Sequence, residues 1–267
     1  DTIRGLIFSF FDRLDNEKKQ LVKIASVIGR TFLYKILAAV VETNVYIEDE
    51  LTQLQLIKLI RLHTRFPELE YIFYHTLTRE AAYESILLRH RRHLHLQAGL
   101  AIEKVFKDQK EKFYTHLAYH YAQAKDWERA QDFLFKAGNQ AESIAADTEA
   151  FGYYKKAIAA YKSAFGQNLD SGQKAVFNRK IGEGFFRRGD HEKALEYLRQ
   201  AMAHYEKICP RTKWGIRTLL LFSIAKQVLH RMFPGWFIGR GKNYSVDVIK
   251  ERVLIYEIMG WIDFFLN

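Results

Sequence analysis

The stretch KFYTHLAYHYAQAKDWERAQDFLFKAG, Lys112 to Gly138, sets small or aromatic residues at Ala118, Tyr121, Ala130, Leu134 and Ala137. In FNRKIGEGFFRRGDHEKALEYLRQAM, Phe177 to Met202, the same internal spacings recur at Gly182, Phe185, Ala194, Leu198 and Ala201, 64 residues further along. Alanine or glycine at these intervals lets two antiparallel helices approach closely, and the aromatic residue fills the space beside the contact.

This small-residue code is that of tetratricopeptide helix pairs, and an offset of 64 is close to two repeats of about 34 residues. Between the copies, AESIAADTEAFGYYKKAIAAY carries Ala150, Tyr154 and Ala157 at second-helix positions, so an irregular middle repeat is expected there. Past Pro210, WGIRTLLLFSIAKQVLHRMF and VDVIKERVLIYEIMGWIDFFLN read as further helices on either side of the turn-rich FPGWFIGRGKN.

Upstream the texture differs. LIFSFFDRL, DNEKKQLVKIASVIG, FLYKILAAVV and EDELTQLQLIKLI are short helical patterns. Asp15 is placed as an N-cap before apolar residues at Leu21, Ile24, Ala25 and Ile28. ELEYIFYHT alternates and is rich in aromatic and β-branched residues, which predicts a strand paired in a small hairpin with the segment near Leu62 to Phe66. Helices, a hairpin and then a long helix are the order of a winged-helix module. The expected architecture is therefore mainly all-α: a winged-helix-like domain with connector helix over 1–104, tetratricopeptide-like repeats over 105–207 and further solenoid helices over 208–267.

Composition agrees with that reading. Of 267 residues, 48% are apolar and 27% charged, and three prolines leave long stretches without a helix breaker. One cysteine, Cys209, excludes an internal disulfide framework and fits a cytoplasmic protein. The longest apolar run, TLLLFSIA at 218–225, lies between Arg217 and Lys226 and is too short to cross a membrane. The net charge of +10 divides into +3 over residues 1–112, +2 over 113–207 and +5 over 208–267. Such diffuse charge speaks against a nucleic-acid partner, which would need it gathered on one face. Asp1 in place of methionine, and the apolar ending VLIYEIMGWIDFFLN, lead us to expect a piece of a longer protein.

Motifs that suggest chemistry mostly fail on spacing. GRGKN at 239–243 lacks the glycine spacing and the hydroxyl residue of a phosphate loop, and the glycines of IGEGFFRRG at 181–189 occupy repeat positions. Cys209 beside Pro210 reads as an idle or packed thiol, and Trp236, Phe237, Arg231, Arg240 and Lys242 as residues between stacked helices. FYHTLTREAAYESILLRHRRHLH, Phe73 to His95, concentrates four histidines. Read as one helix from near Thr78, it puts Tyr83, Leu87, His90, Leu94, Ala98, Ala101 and Val105 on a buried face, with Arg89, Arg91, Arg92 and His93 around the rest. Only His90 and His93 converge, without an acid beside them, so no metal site is expected. His75 is different, because it falls at the end of the strand and just before the helix, where an imidazole can be aimed at a cleft.

The ordered series FFDRLDNEKKQLVKIASVIGRTF, FYHTLTREAAYESILLRHRRHLH and LAYHYAQAKDWERAQDFLFKAGNQA resembles the region after the nucleotidase domain in signalling ATPases of the STAND type. It is most similar to those joined to class III adenylate or guanylate cyclases, including soluble adenylyl cyclases, over about residues 1–207. RVLIYEIMGWIDFFL is similar to that family's later helices. The resemblance implies that His75, within Tyr74-His75-Thr76, reaches the phosphate of ADP held by a separate ATPase domain. The Met-His-Asp form usual there is absent, so this rests on His75 alone. It implies a non-catalytic regulatory and protein-interaction segment that binds no cofactor by itself, with ATP or ADP and magnesium in the parent's ATPase domain. Its partners are its own ATPase and cyclase domains and a protein or peptide on the repeats. Candidates for that contact, at first-helix positions, are Tyr119, Gln123, Arg179, Glu183 and Arg187. The same build also suits the effector-sensing arm of a STAND-type transcription regulator, or a plain tetratricopeptide scaffold.

Overall fold

The computed structural model describes residues 14–41, 47–166, 170–205 and 246–266, with isolated residues between 214 and 233. By contact the chain divides into two compact units, residues 1–137 with 159–164 and residues 138–158 with 165–267.

In the first unit, Asp15 caps α1 (Asn16–Ile28) by accepting from the Lys18 amide at 2.8 Å, an interaction of about 1 kcal/mol. Leu21, Ala25 and Ile28 are buried along one face, as their spacing requires. β1 (Thr31–Leu33), α2 (Tyr34–Val41), α3 (Ile47–Leu56), β2 (Ile60–Thr64) and β3 (Glu70–Phe73) follow. The expected hairpin is present as β2–β3, but the sheet has three strands in the order β1-β3-β2. Phe32 and Leu33, read above as the start of a helix, lie in β1, with Phe32 opposite Tyr71. The pairing sets Phe32, Tyr71 and Phe73 on the core face, with ring centroids 5.7–5.9 Å apart. Helix, strand, two helices, two strands and a following helix is the winged-helix order.

The single long helix expected from near Thr78 is two. α4 (Thr76–Glu84) ends at Ser85, and α5 (Leu88–Val105) starts after Leu87, which is 81% exposed. The carbonyls freed at the break are recaptured: Arg91 donates to Ile86 O at 3.0 Å and Glu84 O at 3.3 Å, a cation at a helix C-terminus. Beyond the break Leu94, Ala98 and Ala101 are buried as their spacing requires, joined by His95 and Ile102, whereas His90, expected on the buried seam, is exposed. A 3₁₀ turn over Lys107–Phe113 leads to α6 (Tyr114–Ala124), which packs on α5 and precedes α7 (Trp127–Ser143).

The repeat code is realised as read. Ala118, Tyr121, Ala130, Leu134 and Ala137 are all buried. In the second unit, α8 (Asp147–Phe165, as far as Ile158), α9 (Ser171–Arg187) and α10 (His191–Ala203) carry the later code positions, and α11 (Val246–Leu266) packs on α9 and α10. A Cβ on Gly182 would lie 2.9 Å from Leu198 Cγ and 3.1 Å from the Ala194 carbonyl, so the hydrogen is what lets α9 and α10 touch. The middle repeat works the same way, sixteen residues separating Gly138 from Tyr154 as sixteen separate Gly182 from Leu198. A Cβ on Gly138 would come within 2.6 Å of the Tyr154 ring. Thus α7, the second helix of the first pair, also supplies the first-helix position of the next. The segments LIFSFFDRL and FPGWFIGRGKN lie outside the described residues except Leu14 and Phe233, and Cys209 lies outside them altogether.

Candidate functional site

β3 ends at Phe73, and two residues later His75 is the N-cap residue of α4 with extended backbone (φ −121°, ψ 135°). Strand alternation and the short corner leave the His75 side chain exposed, its ring edge-on to Tyr74 at 4.9 Å. Its carbonyl accepts from Thr78 N at 3.2 Å, whereas among the described residues its imidazole has no hydrogen-bond partner. An imidazole so placed can donate to, or accept from, a group brought by another domain.

Two other histidines are buried. His95 of α5 and His120 of α6, each 1% exposed, face one another with Nδ1···Nδ1 at 3.0 Å. The Tyr83 hydroxyl of α4 lies 3.0 Å from His95 Nε2, and the His120 ring faces the backbone of Ile28, the last residue of α1. Burial holds both imidazoles neutral: it lowers His95 to about 4, assisted by Arg91 and Arg79, and His120 to about 3, assisted by His95 and His116. The sequence hides this cluster because the partners of His95 lie on other helices, 12 and 25 residues away. The available signal is the small pair Ala98 and Gly99, three and four positions after His95, where a Cβ on Gly99 would lie 2.9 Å from the Tyr121 ring.

The residues proposed for the repeat face are placed unevenly. Tyr119 is 43% exposed and Gln123 is exposed, both on α6. Arg179, Glu183 and Arg187 follow one another at four-residue steps on α9 and are consumed in a network within the chain. Arg179, 5% exposed, holds Glu251 of α11 through Nε at 2.5 Å and Nη2 at 3.1 Å, and Glu183 through Nη1 at 3.0 Å. Arg187 reaches Glu183 at 3.0 Å, Glu142 at 3.1 Å and Asp147 at 2.6 Å. Glu142 also takes Lys180 Nζ and the Tyr154 hydroxyl, the latter at 2.7 Å. Burial pushes the Glu142 carboxyl upward, but the bonds from Lys180 and Tyr154 outweigh it and hold the group below the usual range. Arg179 is therefore a structural cation, while Glu183 is half-buried and Arg187 exposed.

His90 and His93 have ring centroids 6.5 Å apart and share a cleft of about 470 Å³ with Glu17 and Glu50. Among the described residues no group of three or more His, Cys, Asp or Glu side chains is arranged to hold a metal ion. Among them, too, no helix is long and apolar enough to cross a membrane.

No family model matches the chain, and no curated protein matches it. Among solved structures it is similar to a Signal Transduction ATPase with Numerous Domains (STAND) protein with a tetratricopeptide repeat sensor from Pyrococcus horikoshii. The TM-score is 0.44 and the identity 16%, covering 97% of this chain and 40% of that one. The chain thus spans less than half the length of the structure to which it is similar.

Proposed function

We propose that this chain is a non-catalytic regulatory and protein-interaction segment of a larger STAND-type ATPase. In this reading its ATPase domain holds ADP and magnesium, and His75 donates to the ADP phosphate and favours the resting arrangement. The observation that carries this is the position of His75: an exposed imidazole, unpartnered among the described residues, at the strand-to-helix corner of a winged-helix module that runs through α5 into repeat helices. A neutral donor or a cationic imidazole both suit a phosphate oxygen, and ligand and proton each influence the other.

The output we assign is cyclic-nucleotide synthesis by a class III cyclase domain, supported by the three sequence blocks of the winged-helix and repeat regions. The repeats bind a protein or peptide at Tyr119 and Gln123, with Glu183 and Arg187 contributing where their network leaves them open. Binding then shifts the parent between resting and active states in proportion to the difference in affinity for the two. The protein is cytoplasmic in this reading.

The test is the full-length parent carrying His75→Ala. ADP is expected to dissociate faster and basal adenylate or guanylate cyclase output to rise. Unchanged ADP retention with unchanged basal output would overturn the sensor role, and a parent that forms no cyclic nucleotide would overturn the assigned output.

A further inference from the structure

Two proton arrangements satisfy the bonds around His95 and His120, each the reverse of the other, and we adopt the one that leaves the His120 Nε2 proton toward the Ile28 backbone. The Tyr83 hydroxyl donates to His95 Nε2, so that neutral ring keeps its proton on Nδ1 and donates it to His120 Nδ1 at 3.0 Å. His120 then carries its own proton on Nε2, the nitrogen left for the carbonyl of Ile28. That carbonyl is one of the orphan acceptors at the end of α1, a group that needs a donor. The Tyr119 ring lies edge-on to His95 at 5.5 Å, on the exposed side of the cluster.

Three helices meet in this chain: α4 through Tyr83, α5 through His95 and α6 through His120. The charged groups facing it are Arg79 of α4, which donates to Ser26 O at 3.1 Å and lies 5.4 Å from the Tyr83 ring, and Arg91 of α5, 4.2 Å from the same ring. His116 of α6 is the remaining titratable neighbour. Among the described residues no carboxylate acts on either imidazole, so a proton added to His120 would set two N–H groups against each other with nothing there to neutralise the charge. Each bond in a buried polar chain polarises the next, and loss of one member leaves its partners unsatisfied.

We propose that the Tyr83–His95–His120 chain is a latch that makes α4, α5 and α6 move as one body. It passes displacement at the His75 end of α4 to the first repeat helix. Tyr83 lies on the helix that His75 caps, and Tyr119 is exposed on the repeat helix, so the latch joins the two surfaces at which ligands are proposed to act. The signalling use of the latch rests on the sensor reading of His75, but the latch itself does not.

Nitrogen-15 NMR of the histidine-labelled 267-residue chain at neutral pH tests the proton arrangement directly. The expected result is His95 as the Nδ1–H tautomer and His120 as the Nε2–H tautomer, with scalar coupling across the N–H···N bond. Both rings as Nε2–H tautomers, or no such coupling, would overturn the latch. Amide exchange tests its mechanical role: Tyr83→Phe should speed exchange across residues 114–124 about tenfold, the loss of one net hydrogen bond. Exchange in α6 unchanged by Tyr83→Phe would overturn the coupling even where His75→Ala releases ADP from the parent, which keeps the two ideas separable. Conversely, an intact latch with unaltered ADP retention in His75→Ala would sink only the sensor.

Discussion

Helix pairs α6–α7 and α9–α10 match position for position at an offset of 64 residues. In one, Tyr121 stacks on Phe133 at 5.6 Å beneath Arg129; in the other, Phe185 stacks on Tyr197 at 5.5 Å beneath Lys193. Asp126 caps α7 through the Arg129 amide at 3.2 Å, and Asp190 caps α10 through the Lys193 amide at 3.3 Å. The interiors of the pairs are thus interchangeable. What differs is the surface each first helix turns to the helix before it. His120 completes a hydrogen-bond chain with His95, whereas at the equivalent Gly184 the missing side chain admits Phe151, whose ring a Cβ would approach to 2.6 Å. Thr115 is exposed, whereas the equivalent Arg179 is buried between two carboxylates. The repeat code fixes how a pair closes, and the positions outside it give each pair its neighbours and its chemistry.

The largest expected effect breaks the pairs apart at Thr115 and Arg179. Arg179→Ala leaves Glu251 without its bidentate cation and Glu183 with Arg187 alone, and should cost about 3–5 kcal/mol, the range for removing one partner of a buried ion pair. Thr115→Ala should stay within about 0.5 kcal/mol, as exposed substitutions do. Urea unfolding of both variants measures the contrast; equal costs would show that the α9 network contributes no more than a surface position.

How much of this was legible follows the same division. The code positions, the Asp15 cap and the β2–β3 hairpin could be read because each depends on neighbours within a few residues or on a fixed period. Arg179 could not be recognised as structural because Glu251, which neutralises it, is 72 residues away. β1 spans three residues, too few for strand alternation to show. The break after Glu84 went unread because neither Gly nor Pro marks it and Arg91, which takes up the freed carbonyls, reads simply as a surface cation; His95 was missed because Tyr83 and His120, which satisfy it, are 12 and 25 residues away. His75 was placed correctly at the corner because strand and helix signals meet there, while the phosphate it is proposed to meet belongs to another domain.

Acid should affect the first pair and not its counterpart at Gly184. His95 titrates near 6.5 when unfolded and is lowered to about 4 in the fold. Between those values the unfolded chain holds a proton that the folded chain refuses. Stability is therefore full above pH 6.5 and falls as pH drops toward 4, by on the order of 3 kcal/mol from this ring. Amide exchange of residues 114–124 against pH reports the loss, and a His95→Gln, His120→Gln double variant should flatten the slope. An unchanged slope in that variant would assign the acid sensitivity to other groups.

A smaller effect tests the closest helix approach. Gly184→Ala forces the Phe151 ring to move and should cost about 1–3 kcal/mol as an overpacking change. Replacing His120 by Gly in the other pair opens the latch without supplying an aromatic ring to fill the space. It should raise exchange in α6 rather than restore the packing seen at Gly184. Thermal unfolding of the first variant and exchange in the second decide both points.

The smallest expected effect lies in the turns, where the pairs agree in geometry and differ in residue. Lys125 (φ 63°) and Gly189 (φ 77°) occupy the same left-handed position, each followed by an aspartate whose amide donates to the carbonyl of Tyr121 or Phe185 at 3.0 Å. A side chain in that conformation costs about 1–2 kcal/mol, and glycine avoids the clash while giving back part of the gain as unfolded-state entropy. Lys125→Gly should therefore stabilise its pair by about 0.5–1 kcal/mol, and Gly189→Lys should weaken the other by a similar amount. Measured together by urea unfolding, opposite shifts of comparable size would show that the turns are interchangeable like the interiors. A loss in both variants would mean that the Lys125 side chain contributes something the glycine cannot, and the correspondence between the pairs would then end at the turn.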